Sequence, residues 1–382
     1  MGALPLAGLK VVAIEQAVAA PFASARLADA GAEVIKIERP EGDFARGYDD
    51  VAAGQSSYFV WLNRGKRSVT LDLASPAGKA ALGDLLAGAD VLIQNLKRGA
   101  LGRLGFTPAR LARDHPALIA CSISGYGEDG PMADRKAYDL LIQAESGLCS
   151  LTGGPNEPSR VGTSVVDIAT GATAYAAILE ALIARGITGK GAAISVSMFD
   201  VMADWMTVPL LNHEGGKTPR RVGMAHPSIA PYGAFAAADG ALILISVQSD
   251  REWRKLCDLF LDAPALGTDP RFATNVARVA NRAETDAIVG AAFARRGAGE
   301  AAAALNGADI AFAAVNDMAG LAAHPHLRRI TVETPNGPVS YPAPAPQVAG
   351  ETRRYGAVPA LGPAQGPAQS TAQGVAQSTA QK

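Results

Sequence analysis

The chain opens with a strand–helix–strand unit, and that unit repeats. Leu9-Lys10-Val11-Val12-Ala13-Ile14 is a short β-branched run that reads as a strand. Pro21 starts a helix through Phe22, Leu27 and Ala28, stopped by Gly31, and a second apolar run fills 32–38. Strand, helix and strand within about thirty residues form a βαβ unit, which implies a parallel sheet and a right-handed crossover. The alternation continues with a strand at 67–73 and a helix opened by Ser75-Pro76 with Leu82, Leu85 and Leu86 on one face. Further strands follow at 90–95 and 117–123. The fold class is therefore α/β: a Rossmann-like, doubly wound domain whose ligands sit at the carboxyl ends of its strands.

A dinucleotide-binding domain carries GxGxxG after its first strand. Here that loop reads Glu15-Gln16-Ala17-Val18-Ala19-Ala20-Pro21, without the glycines that let a pyrophosphate approach the backbone. NAD or FAD binding has little support. Glycine-dense loops come later, at Ser124-Gly125-Tyr126-Gly127-Glu128-Asp129-Gly130-Pro131 and Leu151-Thr152-Gly153-Gly154-Pro155. Taken alone they are connections rich in turn residues. Beyond them Val165-Val166-Asp167-Ile168-Ala169-Thr170-Gly171 leads into an Ala-rich run with Tyr175, Ile178, Leu179, Leu182 and Ile183 at helical spacing. Asp167 falls at or just before a helix start, where an aspartate is first of all an N-cap.

A turn at 187–191, a strand at 193–198 and a helix from Asp200 to Leu211 follow. The polar stretch His213 to Arg221 reads as a linker. Beyond it a hairpin pairs 232–236 with 241–247 around an Asp239-Gly240 turn. Helices around 251–260, 282–295 and 298–305 complete a second, α+β domain over roughly 225–320. The segment 327–339 has strand character. The last residues, 363–382, repeat Gly, Pro, Ala, Gln, Ser and Thr, too few apolar groups for a core, and read as disordered.

The net charge of −1 gives no field that would favour nucleic acid or an anionic membrane surface. Cys121, Cys149 and Cys257 are far apart and show no CxxC pairing, which argues against a zinc site or a disulfide framework and fits a reducing cytoplasm. The first residues lack a signal peptide's design, and no apolar run reaches the length of a membrane span. The expectation is a soluble cytoplasmic protein with no metal, no nucleic acid and no membrane partner.

Several motifs in order resemble the family III CoA-transferases, the group that includes formyl-CoA transferase. They are Leu6-Ala7-Gly8-Leu9-Lys10-Val11-Val12, Ala19-Ala20-Pro21, Gly31-Ala32-Glu33-Val34-Ile35-Lys36-Ile37-Glu38-Arg39-Pro40 with Gly42-Asp43, and Asn63-Arg64-Gly65-Lys66-Arg67-Ser68. The set goes on with Ala89-Asp90-Val91-Leu92-Ile93-Gln94-Asn95, Gly125-Tyr126-Gly127 with Gly130-Pro131, Tyr138-Asp139, Thr152-Gly153, and Asp167 with Gly171. The resemblance covers nearly the whole chain except the tail. It implies a ring-shaped subunit interlocked with a second copy in a homodimer. It also implies a large domain built from 1–200 and 325–362, a linker at 201–224 and a small domain at 225–324.

By the same resemblance Asp167 is the nucleophile. It attacks an acyl-CoA thioester to give a mixed anhydride and then an aspartyl-CoA thioester. No cofactor is bound permanently; coenzyme A arrives as the thioester substrate. A helix N-terminus at Asp167 would keep the carboxylate ionised. Arg39, Asn95, Arg103, Lys136, Ala17, Ala19 and Leu71, together with 63–67, match positions that line the family's CoA site, where cations suit the phosphates. Tyr138 and Tyr48 match aromatic positions near the acyl group.

Val18 replaces a glutamine of formyl-CoA transferase, and that enzyme's glycine-rich flap has no counterpart. Both departures point away from formyl and oxalate specificity. The pattern is closer to members that move CoA from succinyl-CoA to dicarboxylates such as glutarate, itaconate, mesaconate or malate. A distal carboxylate needs a cation or donors, and Arg46, Arg160, Arg221 and His226 are the candidates. Two other readings compete. One is a CoA-dependent racemase, whose acid/base histidine would stand where this chain has Tyr138. The other is a catalytically silent CoA-binding protein, against which the presence of Asp167 argues.

Overall fold

The structure is a computed structural model that describes residues 4–363. The tail expected to be disordered lies, except for Pro363, outside the described residues. The chain divides into two compact units. The first comprises 4–148, 160–208 and 328–363, and the second comprises 149–159 and 209–327.

The first unit is built on a six-stranded parallel sheet: β1 (Lys10–Ile14), β2 (Glu33–Glu38), β3 (Lys66–Thr70), β4 (Val91–Gln94), β5 (Ile119–Ser124) and β6 (Ala193–Ser197), in spatial order β3-β2-β1-β4-β5-β6. Its helices are α1 (Ala19–Asp29), α2 (Ser57–Asn63), α3 (Pro76–Ala87), α4 (Ala100–Arg103), α5 (Pro108–Asp114), α6 (Asp139–Glu145), α8 (Val165–Thr188) and α9 (Met198–Trp205). The single turn α7 (Leu148–Leu151) and helix α10 (Thr207–Glu214) carry the chain into the second unit.

Strands buried on both faces read as continuous apolar runs, which is why the sequence shows them so plainly. Val11, Ala13, Val34, Ile93 and Cys121 pack with α1 and α8 through Ala20, Ala23, Leu27, Ala174 and Ile178. Val12, Ile14, Ile35, Ile37 and Leu92 pack on the opposite face with Leu82 and Leu86 of α3 and Leu111 of α5. Strand order reverses at β1 and β4, so the topological switch point lies beyond their carboxyl ends. The side chain of Asn95 joins the two loops there. Its Oδ1 accepts from Gln16 N at 3.0 Å, and its Nδ2 donates to Gln16 O at 2.8 Å.

Helix α1 begins two residues before the expected Pro21, which sits inside the first turn, where a missing N–H costs nothing. Within the 201–224 segment expected to link the domains, the helix expected from Asp200 to Leu211 is present as the end of α9 and all of α10, and the chain becomes irregular after Glu214. The 327–339 stretch is not one strand. β10 (Arg329–Val332) and β11 (Val339–Pro342) pair as a hairpin and pack Val332 against Phe59 and Val60 of α2. Helix α8 corrects a further expectation: by length and composition it is apolar enough to cross a membrane. Here its buried face is part of the sheet core.

In the second unit β7 (Tyr232–Ala236), β8 (Leu242–Ser246) and β9 (Ala311–Ala314) form an antiparallel sheet. Helices α11 (Asp250–Leu259), α12 (Asn275–Ala280), α13 (Arg282–Phe293) and α14 (Ala298–Gly307) surround a core of Trp253, Phe260, Phe272 and Phe293, with α15 (Met318–Ala322) beyond β9. The hairpin matches the expected arms. β9, α12 and α15 were not anticipated.

Candidate active site

A cleft of about 650 Å³ opens in the first unit beyond the strand ends at the switch point. Ala17, Val18 and Ala19 form one wall, where the chain turns from β1 into α1. Ala17 has φ of +62°, an unusual conformation for a residue with a Cβ. Asp43 holds it there, accepting from Ala17 N at 3.2 Å and from Ala45 N at 2.9 Å through the same oxygen. Asp43 is itself fixed by Lys36 at 2.8 Å, and Lys36 and Lys66 flank the carboxylate of Glu15 at 3.5 and 2.6 Å. All four side chains are buried. A ionic cluster thus stiffens the wall from below.

Phe44, Tyr48 and Tyr58 make an aromatic wall, with Tyr48 edge-on to Tyr58 at 5.5 Å between ring centroids and tilted against Phe44 at 5.7 Å. Burial, followed by the nearby charges of Asp43 and Asp167, pushes the Tyr48 phenol up to about 12. It is a neutral donor at neutral pH, unsuited to acting as a base.

Asp167 lines the cleft from the first turn of α8. It is not the N-cap. Ser164 occupies that position without a side-chain cap bond, and the capping acceptor comes from α6. Asp139 Oδ2 accepts from Val166 N at 2.8 Å and from Asp167 N at 3.1 Å. Because another carboxylate takes up these amides, the helix start does not hold Asp167 ionised, contrary to expectation. Burial, and then the charge of Asp139, push Asp167 up to about 7. A carboxylate with that basicity is a better nucleophile than an ordinary one once ionised.

Tyr138, exposed at the N-cap of α6, Lys136 and Asn95 also line the cleft, as do Lys97, Arg98, Arg135 and Arg160. Arg98 pairs with Asp134 at 3.3 Å and Arg135 with Glu145 at 2.8 Å. Arg39 and Leu71 line a smaller pocket of about 150 Å³. Gln16 and Leu96 border both cavities. The arrangement combines a half-buried carboxylate, a rim of basic side chains and a small annex lined by Ile37, Arg39 and Leu71, and has the room and charge for a long, polyanionic ligand.

A family model described as CoA-transferase family III matches residues 6–365. This chain is a family III CoA-transferase. It is 40% identical over 295 residues to a succinate–glutarate CoA-transferase of Agrobacterium fabrum, an alignment covering 75% of this chain and 73% of that protein. It is 37% identical over 350 residues to an acetyl-CoA:oxalate CoA-transferase of Acetobacter aceti, covering 91% and 90%. The crystal structure of a CAIB/BAIF family protein from Brucella suis superposes with a TM-score of 0.82 at 37% identity, covering 94% of this chain and 97% of that one.

Other residues expected at the transferase site lie elsewhere. Arg46 is engaged with Glu38 at 2.8 Å through both Nε and Nη2, and its guanidinium lies 3.7 Å from the ring centroid of Phe59. That pairing lowers Glu38 to about 2 against the opposing effect of burial. Arg46 is a structural cation. Arg103 is exposed at the end of α4, where its guanidinium donates to the Arg98 carbonyl at 3.3 Å, and it lines neither cavity. In 63–67, Asn63, Arg64 and Lys66 are buried. Arg64 pairs with Asp29 and Lys66 with Glu15, so these cations stabilise the fold and are not presented to phosphates.

Two candidates belong to the second unit. Arg221 donates to the carbonyls of Ser150, Gly154 and Pro155, and His226 stacks on Tyr232 at 5.2 Å. Phe44, Tyr58, Lys97 and Arg98 line the cleft but were not picked out from the sequence, although the aromatic density of 44–61 was a visible signal.

Proposed function

We propose that the enzyme moves CoA from succinyl-CoA to a free dicarboxylic acid with Asp167 as the covalent nucleophile. The observation that carries this reading is the half-buried Asp167 carboxylate in the switch-point cleft, raised to about 7 beside a cationic rim. A carboxylate oxygen of Asp167 attacks the thioester carbonyl, the C–S bond breaks, and CoA leaves as the thiolate. The product is a mixed anhydride. The thiolate then attacks the Asp167 carbonyl carbon, the anhydride C–O bond breaks, and the donor leaves as its carboxylate. The acceptor carboxylate attacks the resulting aspartyl-CoA thioester and expels the thiolate, which attacks the acceptor carbonyl and restores Asp167. Each step exchanges one anion for another, so no external proton is needed. The half-buried position of Asp167 protects both intermediates from water.

The Agrobacterium fabrum relative is named for glutarate and the Acetobacter aceti relative for oxalate; both names support an acceptor with two carboxylates, and the second keeps oxalate among the acids to be tested despite the departures at Val18 and the flap. Of the four cations considered from sequence, Arg160 is the one lining the cleft with Asp167. It is the group assigned here to the distal carboxylate. Lys136, with Lys97 at the rim, serves the CoA phosphates, and the Arg39–Leu71 pocket takes the adenine end. The reading includes a cytoplasmic, interlocked homodimer. Exposed Ile183 and Ile187 on α8 and Trp205 and Val208 farther along are apolar surface that a second copy would cover.

The test offers succinyl-CoA with a panel of free acids, including oxalate, glutarate, mesaconate, itaconate, malate and matched monocarboxylates, and identifies new thioesters by mass spectrometry. New dicarboxyl-CoA products with one succinate released per product support the reading. Exchange confined to monocarboxylates, or loss of an α-deuterium from a 2-methylacyl-CoA without exchange, would overturn it.

A further inference from the structure

Asp139 opens α6, and Gln143, fully buried, stands one turn later on the same helix. Gln143 Nε2 donates to Asp139 Oδ1 at 2.6 Å, and Gln143 Oε1 accepts from Val161 N at 2.9 Å. The other oxygen of Asp139 accepts from the amides of Val166 and Asp167. A single chain of hydrogen bonds therefore runs from the backbone beside Arg160, through α6, to the first turn of α8.

The direction of every bond in this chain is fixed by chemistry. Backbone amides can only donate, so Asp139 Oδ2 and Gln143 Oε1 must accept, and the Gln143 amide must face the remaining carboxylate oxygen. The amides of Val166 and Asp167 belong to the first turn, where a helix offers no internal acceptor. Ser164 supplies no side-chain cap. The turn that carries Asp167 is thus anchored from another helix.

We propose that Asp139 and Gln143 are positioning residues that lock the first turn of α8 and aim the Asp167 carboxylate into the cleft. The inference rests on the reading of Asp167 as nucleophile. A nucleophile displaced by 1 Å loses roughly a hundredfold in rate, so the first turn of a helix, prone to fraying, needs such an anchor. The pair also ties 160–161 to the same frame, so that Arg160 and Asp167 share one rigid reference. Burial, and then the proximity of the Asp139 carboxylate, account for the weakened acidity of Asp167.

The test exchanges the acid and the amide. Asp139→Asn sets an amide against the Gln143 amide, and Gln143→Glu sets two carboxylates face to face. The double variant Asp139→Asn/Gln143→Glu restores each donor–acceptor pair with unchanged net charge. Each single change is expected to lower kcat about tenfold or more with KM for the acyl-CoA within about threefold, and the double variant to return to within about threefold of the parent. Thermal unfolding of each variant accompanies the kinetics. Single variants with parental kcat, or a folded double variant no better than the worse single, would overturn the proposal. If a single variant does not fold, the double variant decides alone: turnover near the parent supports the anchor, and a folded but inactive double overturns it. Asp167→Ala is run alongside. Transfer surviving there refutes the nucleophile, whereas loss there with indifferent changes at 139 and 143 refutes only the positioning.

Discussion

Asp139 and Asp167 are two carboxylates at one helix start, and the first-turn amides of Val166 and Asp167 go to the first while the second lines the cleft. Asp139 accepts from Asp167 N at 3.1 Å, and its charge adds to burial in pushing the Asp167 carboxyl up to about 7. The pH dependence of kcat/KM reports the free enzyme, so it is expected to rise through an acid limb near pH 7 and level off above it. An acid limb at an ordinary carboxyl value, near 4, would contradict that environment.

The same shift governs stability. The unfolded carboxyl titrates near 4 and the folded one near 7, so between those values the native state holds more protons. This group's contribution to stability is therefore fully present below about pH 4 and falls as pH rises toward 7. Thermal midpoints of the parent and of Asp167→Asn should diverge across that window, with the variant the more stable at pH 8. Parallel curves would show that the raised value is absent.

Beneath the Ala17–Ala19 wall, Lys66 and Glu15 are both fully buried and 2.6 Å apart. Glu15 and Asp43 are balanced by Lys36 and Lys66, so Lys66→Met leaves two buried carboxylates on the one cation Lys36 and is expected to cost about 3–5 kcal/mol in urea unfolding. Glu15→Gln combined with Lys66→Met should cost less than the sum of the two singles, because the buried ions are removed together.

Gly171 marks where α8 meets α1. A Cβ there would lie 2.4 Å from Ala19 O and 2.8 Å from Phe22 Cβ, and the first of these is backbone that cannot turn aside. Gly171→Ala would ordinarily gain helix propensity of up to about 1 kcal/mol. The clash outweighs it, and a net loss of about 1–3 kcal/mol is expected with a fall in kcat, since α1 carries the Val18 wall. A stabilised and fully active Gly171→Ala would contradict this packing.

Arg160 provides the substrate-level prediction. Arg160→Ala should raise KM for a dicarboxylate acceptor by about tenfold while leaving a matched monocarboxylate within about twofold, the loss of one partly exposed charge-assisted contact. Equal effects on both acids would remove Arg160 from the distal carboxylate.

The parallel sheet was legible because doubly buried strands leave apolar runs that need no partner to recognise. That ligands sit at the carboxyl ends of the strands followed from the alternation of elements, whereas the switch point between β1 and β4 comes from a strand order that only the fold sets. Burial of cations was not legible. Arg46 looks in sequence like a partner for a substrate carboxylate, and Arg64 and Lys66 like ligands for phosphate, and their partners Glu38, Asp29 and Glu15 are brought to them only by the fold. Asp167 was correctly placed at a helix start but given the wrong capping role, since its capping carboxylate arrives from 28 residues earlier, a distance at which spacing carries no signal. A helix over 200–211 was legible; that it is two helices, α9 and α10, with the second running on through His213 and Glu214, was not.

The central claim is covalent chemistry at Asp167, and peptide mass spectrometry after incubation with succinyl-CoA and hydroxylamine tests it most directly. The account predicts a hydroxamate at Asp167, formed only when the acyl-CoA is present, and no CoA transfer by Asp167→Ala. An unmodified Asp167 in an enzyme that is turning over, or transfer surviving in Asp167→Ala, would contradict it.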